Sequence, residues 1–476
     1  MKKPLNFSKI CLWLLYLFPT ALFFSYYPVI SLGESASTNF ELSIPLIYLV
    51  IFDFFFAIYL FQNRRLPNFS VRTAWPKFLP LLFPCYLSLS ILWSKNPLRA
   101  FLTAGVLWLL YFAVYSIIFF HKTAQKPKSH IKNLQKSVLI PAIFISIWCW
   151  LQCLLDVFGI TRGVTLLCAG CVSETFGFPH PSGFAIEPQF MGNLLLAPAF
   201  LALYLWLQKL PEKPFSKIFF ITFFLITTLF LTFSRGAIYS FIIGAAVLII
   251  FLIIRQKSRR PLFAIPLALV AFLFTLNAQG LMSEFSKTTD TYQTGVIKVI
   301  DQLTLGIFDL SIKTDDLVQE TAAQTETSTP NSAEPVKETS TFSGYVAIST
   351  DTRLSLTSSA LTLWSQTPRN LIFGIGLGSA GVSLYEANLT DSLKEIVQNE
   401  YASLLLESGL LGVLLLASTI PLFYIGLAKT KNRHFLCAII IAYLISLFFF
   451  AGLPNALHIY LLPVILCYNK NTPSRA

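Results

Sequence analysis

Residues 217–254 read KIFFITFFLITTLFLTFSRGAIYSFIIGAAVLIIFLII, and this stretch decides the fold. It holds two apolar segments separated by a single charged residue, Arg235. An apolar helix of about 20 residues crosses the roughly 30 Å of hydrocarbon in a bilayer. The stretch therefore predicts two membrane-spanning helices, at about 217–234 and 236–254, joined by a tight turn at Arg235.

The same pattern recurs along the whole chain. Of its 476 residues, 55% are hydrophobic and 12% are charged, and the mean hydropathy is +0.66. This composition excludes an ordinary soluble globular domain. We predict an all-α polytopic membrane protein with about twelve transmembrane helices. The other predicted spans are 10–31, 43–62, 78–94, 99–120, 137–158, 188–208, 261–277, 400–427, 434–450 and 455–468.

The orientation of the chain follows from its Lys and Arg residues, because short cytoplasmic loops retain positive charge. Alternate loops, such as 122–136 and 255–260, are rich in these residues. The short loops of the opposite set hold only Lys95, Arg99, Arg162 and Arg235. We therefore predict a cytoplasmic (inner) membrane protein with both termini in the cytoplasm. The net charge of +12 then faces anionic lipid head groups and gives no reason to expect nucleic acid.

The predicted spans divide the chain into three parts. Spans one to nine occupy 1–277, one large external (periplasmic) loop occupies 278–399, and spans ten to twelve occupy 400–476. Within the loop, 315–343 is too polar to bury a core, which predicts a disordered insert. The following segment, 352–366, places Leu354, Leu361 and Trp364 at helical spacing. It predicts an amphipathic helix lying against the membrane surface.

Cysteine usage gives little sign of a disulfide framework. Six of the eight cysteines fall in or beside apolar spans, where they act as small hydrophobic residues. Cys168 and Cys171 form C-A-G-C in a predicted external loop and could form a disulfide in an oxidising compartment. A metal site there would need more ligands than His180 adds, so we expect neither a metal nor a cofactor.

Two arginines stand out on the side where positive charge is scarce. A charge at the edge of an apolar helix is costly unless something compensates it. Arg235 could simply snorkel to lipid phosphate. Arg353, however, opens the predicted amphipathic helix, so two guanidinium groups could converge on one anionic group at the membrane surface. Planar guanidinium groups suit bidentate phosphate binding.

Several separated motifs follow one another in a recognisable order. They are Trp93-Ser94 with Pro97-Leu-Arg-Ala100, Ser234-Arg-Gly-Ala237, Thr352-Arg-Leu354 with Trp364, Phe373-Gly-Ile-Gly-Leu-Gly378, Gln398-Asn-Glu-Tyr401 and Leu405-Leu-Glu-Ser-Gly-Leu-Leu-Gly412. In this order, and with the twelve-helix plan, they resemble the O-antigen ligase and polymerase superfamily of bacterial envelope glycan assembly.

The resemblance implies a glycosyltransferase fold of the membrane-embedded C type. It also implies a glycan donor linked to undecaprenyl diphosphate, a lipid, glycan or protein acceptor, and no metal. Arg235 and Arg353 would then bind the diphosphate. The resemblance assigns supporting roles to Trp93, Arg99, Ser234, Gly236 and Asn399.

The catalytic group is less clear, because the family's ligases carry a histidine where this chain has Gln398. Glutamine can orient a hydroxyl but cannot accept its proton. Glu400, Asp351 and Glu187 are the candidate carboxylates, and we favour Glu187 among them. Glu400 also fits a helix-capping role, and Glu187 precedes a proline where a helix is predicted to begin.

Three functions remain open at this point. A ligase and a repeat-unit polymerase share donor and fold, and the missing histidine favours an acceptor other than lipid A. A lipid-linked glycan transporter or flippase would predict internal repeats and ionisable residues at the bilayer midplane. No repeat is evident, and Asp53 and Asp156 fall near the ends of predicted spans. The sequence therefore favours a glycosyltransferase.

Overall fold

A computed structural model describes most of the chain and is predominantly helical. The described residues are 7–25, 29–35, 37–63, 71–124, 127–158, 180–185, 187–210, 212–285, 292–303, 342–420, 430, 432–452 and 456–467. Two predictions lie outside them: the pair Cys168 and Cys171, and the proposed insert except for 342–343, which begin a helix.

The first part of the chain forms five long helices and one β-hairpin. These elements are α1 Phe7–Phe23, β1 Val29–Glu34, β2 Asn39–Ser43, α2 Ile44–Gln62, α3 Val71–Leu89, α4 Pro97–Thr123 and α5 Pro127–Val157. The middle part adds α6 Pro188–Lys209, α7 Lys217–Leu231, α8 Arg235–Gln256 and α9 Ala264–Phe285. Short 3₁₀ turns at Ser90–Trp93 and Arg260–Phe263 precede α4 and α9.

The remaining helices belong to the predicted large loop and to the last predicted spans. The loop contributes α10 Tyr292–Leu303, α11 Phe342–Ser365, α12 Pro368–Phe373 and α13 Ala380–Glu386. The last part forms α14 Glu400–Ala417, α15 Arg433–Ser446 and α16 Leu457–Ile465.

The described helices confirm a polytopic membrane protein. Seven of them are long and apolar enough to cross a bilayer: α2, α4, α5, α6, α8, α9 and α14. Four shorter apolar helices accompany them, at Phe7–Phe23, Leu79–Trp93, Lys217–Leu231 and Arg433–Ser446. The nine residues of α16 extend only about 14 Å. The total of twelve spans therefore stays a prediction.

The predicted first span, 10–31, is wrong in its second half. Helix α1 ends at Phe23, and β1 then pairs antiparallel with β2. The register shifts between Ser31 and Gly33, as in a β-bulge. An apolar run with β-branched Val29 and Ile30 has the hydropathy of a span and the propensity of a strand. The fold is therefore not strictly all-α.

Helix α5 begins ten residues before the predicted start at 137, within a segment that its charges had marked as a loop. Lys128, Lys132 and Lys136 are exposed and lie four residues apart, on one face of the helix. His130 and Leu134 are buried on another face. The helix therefore continues through the lysine-containing segment, beyond its apolar part.

Helix α6 forms the centre of the bundle, because nearly all of its residues from Met191 to Leu207 are buried. It packs against α7, α8 and α15. A side-chain carbon on Gly244 of α8 would lie 2.6 Å from the Phe200 ring of α6, so glycine permits this close crossing.

A directed chain of hydrogen bonds, which we call the histidine chain, joins α1, α5, α4 and α16. The Val464 carbonyl can only accept, so Nε2 of His121 donates to it at 3.1 Å. In the neutral imidazole of His121, Nδ1 must then be an acceptor, and it accepts a hydrogen bond from Nε2–H of His130 at 3.2 Å. Nδ1 of His130 in turn accepts from the Tyr16 hydroxyl at 2.8 Å. The Val464 carbonyl thus determines the neutral tautomer of both histidines, with the proton on Nε2 in each ring.

The prediction that Asp53 lies near the end of a span is also wrong. Asp53 occupies the middle of the 19-residue helix α2 and is 4% exposed. The predicted span 43–62 agrees with α2, so the error concerns the position of Asp53 within the span and not the span boundaries. Asp156, in contrast, does lie at the end of α5.

Candidate functional site

Arg235 is the first residue of α8 and follows a sharp turn from α7. Phe233, fully buried, has a φ of 45°, a left-handed conformation that is strained for an aromatic residue. Ser234 then caps α8, since its hydroxyl accepts from the Ala237 amide at 3.3 Å. Strain of this kind costs about 1–3 kcal/mol and clusters at functional sites. The turn formed by Phe233 and Ser234 positions the half-buried Arg235 at the end of the bundle.

The structure brings Arg353, from helix α11, near Arg235. The positive charge of Arg353 is close enough to act on the Arg235 guanidinium, and so is the hydroxyl group of Tyr239, one turn further along α8. The Tyr239 hydroxyl donates to the Leu303 carbonyl, which ties α8 to the end of α10. Two like charges held together repel each other, and a multiply charged anion between them would relieve that repulsion.

The turn Leu447–Gly452, which follows α15, organises the surroundings of Arg235. The Glu400 amide donates to the Leu447 carbonyl at 2.9 Å, and the Gly452 amide donates to Glu400 Oε2 at 2.6 Å. The turn therefore holds both the backbone and the carboxylate of Glu400.

The same turn also contacts α6 and α8. Nε2 of Gln189 donates to the Phe449 carbonyl at 2.7 Å. A side-chain carbon on Gly236 would lie 2.8 Å from Cβ of Phe449, so only glycine permits this approach. We call Arg235, Arg353, Glu400 and the turn Leu447–Gly452 the arginine site. Sequence reasoning missed the turn and Gln189; a glycine and a proline after the apolar run of α15 were the available signals.

The other candidate carboxylate and the glutamine occupy different settings. Glu187 is exposed at the N-cap of α6 and makes no side-chain capping bond. Gln398 is half-buried just before α14. The cap of α14 is Asn399, whose side-chain oxygen accepts from the amides of Tyr401 and Ala402 at 3.1 and 3.2 Å. The N-cap is therefore Asn399, whereas Glu400 lies in the first turn of α14, where the helix dipole favours a carboxylate, and accepts a hydrogen bond from the turn.

The glycine-rich segment Phe373–Ser379, which we call the glycine loop, is bound tightly by protein groups. The amide of Ile375 donates to the Leu406 carbonyl at 2.9 Å, and that of Gly376 donates to the Glu407 carbonyl at 3.0 Å. The Leu377 amide donates to the Ser90 hydroxyl at 3.1 Å. These amides are thus occupied, so the loop is a structural clamp and not a phosphate cradle.

Three glycines of the loop have positive φ: Gly374, Gly376 and Gly378. Gly374 lies backbone to backbone against a kink in α14 at Gly409, which also has positive φ. A side-chain carbon on Gly374 would lie 2.4 Å from the Glu407 carbonyl oxygen. Glycine is required here both by conformation and by space.

The corner before α4 is the second support of the glycine loop. The Ser94 hydroxyl donates to the Leu377 carbonyl at 2.7 Å and also contacts the Ser379 hydroxyl at 2.9 Å. The ring of Trp93 packs against that of Tyr86, whose hydroxyl donates to the Phe373 and Ser408 carbonyls. The corner thus fixes both ends of the loop.

Glu407 of α14 is a further support that sequence reasoning missed. Its carboxylate accepts from the Ala380 amide at 3.2 Å and also from the Gly378 amide. The positive charge of Arg99, in the first turn of α4, acts on the same carboxylate. Glu407 therefore joins the loop end to α14 and α4.

Helix α11 begins at Phe342, ten residues before the predicted 352–366. Its buried face includes Leu356, Ala360 and Leu363, and the last two pack in a cluster with residues of α13 and α14. Leu354 and Leu361 are exposed on the opposite side. Contact between that side and the membrane surface stays a prediction.

Comparison with known proteins supports the resemblance drawn from the motifs. A family model described as O-Antigen ligase matches residues 220–417. The matched segment runs from α7 to α14 and includes Arg235, Arg353, Glu400 and the glycine loop. No curated protein matches the chain. Over this segment, the match supports the superfamily predicted from the motifs.

Proposed function

We propose that this chain, whose residues 220–417 match the O-antigen ligase family, is a metal-independent membrane glycosyltransferase. It transfers a glycan from an undecaprenyl-diphosphate carrier to an acceptor on the outer face of the cytoplasmic membrane. The observation that supports this most is the convergence of Arg235 and Arg353 at one end of an apolar bundle. The proposal places that end, with α10 to α13, outside the cytoplasm.

The two arginines suit the leaving group of this reaction. An acceptor hydroxyl attacks C1 of the sugar, the bond between C1 and the phosphate oxygen breaks, and negative charge builds up on the diphosphate. Fixed cations aimed at that charge stabilise the transition state without reorganisation. Guanidinium groups can also bind phosphate oxygens in bidentate fashion. The polyprenyl chain would lie along the apolar helices below the arginines.

Glu400 is the best placed carboxylate to take the acceptor proton. Its Oε2 is held by the Gly452 amide, on the same turn that packs against Gly236 beside Arg235. An ionised carboxylate only accepts hydrogen bonds, as a general base requires. In this proposal Gln398 orients the acceptor hydroxyl, and Glu187 is the alternative base.

The other predicted residues would act through these groups. Ser234, Gly236 and Asn399 set the beginnings of α8 and α14. Trp93 and Arg99 belong to the corner that supports the glycine loop. We assign all five to positioning and none to contact with the reacting atoms.

A repeat-unit polymerase is the second candidate, and Gln398 is the residue that favours it. The acceptor would then be another lipid-linked glycan. A single lipid-linked repeat unit, supplied alone, distinguishes the two functions: a polymerase converts it into a ladder of longer chains, whereas a ligase needs a second kind of acceptor.

The proposal is tested by glycan transfer in membranes supplied with an undecaprenyl-diphosphate-linked donor. We expect Arg235→Ala and Arg353→Ala each to lower the rate by about 10²–10³-fold, the size seen when a fixed transition-state donor is removed. Arg235→Lys keeps the charge but loses the bidentate geometry, so an intermediate rate is expected.

Arg369→Ala is the matched control, because Arg369 is exposed on α12 and belongs to the same region. It should stay within about twofold of the parent protein. Unfolding midpoints of all variants verify that the fold is retained. Full activity in both Arg235→Ala and Arg353→Ala would refute diphosphate binding by these residues.

A further inference from the structure

Helix α2 carries a carboxyl group in the middle of an apolar span. Asp53 lies halfway along this 19-residue helix, roughly 14 Å from either end, and is 4% exposed. Helix α2 is among the helices apolar enough to cross a membrane. The side chain is therefore near the centre of the hydrocarbon layer and far from the ends of the bundle.

The surroundings of this carboxyl group are apolar. Leu49, Phe52 and Phe56 are the buried residues nearest to it along α2. Within the described part of the chain, neither carboxyl oxygen of Asp53 has a hydrogen-bond partner. Among the described residues, no salt bridge reaches this carboxyl group either.

The elements packed against α2 are α1, α4 and β2. Polar groups on these elements and on α2 bond elsewhere: the Tyr48 hydroxyl donates to the Leu14 carbonyl, and Tyr16 and His121 belong to the histidine chain. None of the other titratable side chains on these elements hydrogen-bonds the carboxyl group; they are Lys9, Cys11, Glu41, Tyr59, Arg99, Tyr111, Tyr115 and Lys122.

In the apolar interior of a membrane span, a carboxylate ion without a neighbouring cation or hydrogen-bond donor is strongly disfavoured. The neutral carboxylic acid costs much less there. We infer that Asp53 is a proton-binding site in the membrane interior, held as the neutral carboxylic acid at neutral pH and open to modification by hydrophobic carbodiimides. This inference is independent of glycan transfer, because its residues lie away from the arginine site.

The predicted modification follows from the proton. The acid gives its proton to a carbodiimide nitrogen, and the resulting carboxylate oxygen bonds to the central carbon to form an O-acylisourea. Without water or an amine nearby, the acyl group moves from oxygen to the neighbouring nitrogen, and a stable N-acylurea results. The first step needs the acid form, and the second needs a dry site.

The test uses the full chain in lipid nanodiscs at pH 7, treated with dicyclohexylcarbodiimide and analysed by peptide mass spectrometry. We expect an N-acylurea on Asp53 and none at that position in Asp53→Asn. A water-soluble carbodiimide with glycine ethyl ester should label exposed Glu386 and leave Asp53 unlabelled.

Two results would overturn the inference: no adduct on Asp53 from the hydrophobic reagent, or labelling of Asp53 by the water-soluble pair. A stability measurement also tests whether Asp53 is neutral in the folded protein. Asp53→Asn replaces one neutral group by another of similar shape, so its unfolding midpoint should match that of the parent. A clear fall in that midpoint would mean that the ionised form stabilises the fold.

Discussion

The glycine loop and the three charged residues of the arginine site lie within the same matched family segment, yet the two sites are built in opposite ways. The glycine loop has left-handed glycines and backbone amides bonded to neighbouring groups. The arginine site depends on one turn, Leu447–Gly452, and keeps half-buried charged side chains at the bundle end. The loop with the most conspicuous sequence is therefore scaffold, and the proposed chemistry lies beside an inconspicuous turn.

The sharpest test of this contrast is Gly374→Ala in the glycine loop. Alanine there would adopt a strained φ and place a carbon 2.4 Å from the Glu407 carbonyl oxygen. We expect a loss of about 3 kcal/mol in stability, seen as a large fall in the unfolding midpoint and in folded yield. Gly105→Ala is the control, since nothing lies within 4 Å of the added carbon and α4 is helical there. Equal stability of the two variants would contradict a scaffold role.

The next largest effect is expected from Glu400→Gln in the arginine site. The amide oxygen of glutamine can still accept from Gly452, so the unfolding midpoint should be retained. A general base is lost, and the transfer rate should fall by about a hundredfold. Glu386→Gln is the control, because that carboxylate forms an exposed pair with Lys95. Undiminished transfer by Glu400→Gln would reduce Glu400 to a structural tie and leave Glu187 as the base.

The smallest effect is expected at Asn399, which serves the arginine site only by capping α14. Asn399→Ala removes two bonds to backbone amides, and the expected cost is about 1 kcal/mol. Asn399→Asp keeps the acceptor oxygen and adds a negative charge at the helix N-terminus, so it should restore stability. Thermal unfolding in nanodiscs measures both variants. An aspartate variant no more stable than the alanine variant would exclude the capping explanation.

The helical spans were predicted well because hydropathy and length together determine them. The predicted span 188–208 corresponds to α6 at Pro188–Lys209, and 43–62 to α2 at Ile44–Gln62. The errors arose where hydropathy is ambiguous. A β-strand at Val29–Glu34 is as apolar as a helix end, and lysines at a spacing of four continue α5 instead of ending it.

The site was predicted less completely. Arg235 and Arg353 were conspicuous because positive charge is scarce on their side of the predicted topology. The partners of the turn were not, because Gln189 and Phe449 are 260 residues apart in sequence, and Glu400 and Gly452 are 52 apart. The local periodicity of a sequence does not indicate contacts between residues so far apart in the chain. Glu407 was similarly hidden inside a predicted span.

The histidine chain has a consequence for how the protein is made. His121 and Val464 are 343 residues apart, so the ring nitrogen that donates to this carbonyl must wait for nearly the whole chain to be synthesised. Until the last helix arrives, His121 presents a donor that no permanent acceptor satisfies, and an unpaired polar group is costly in an apolar setting. Insertion of α16 removes that cost and joins the late chain to α1, α4 and α5. The bond therefore favours a bundle that contains α16 over one that lacks it.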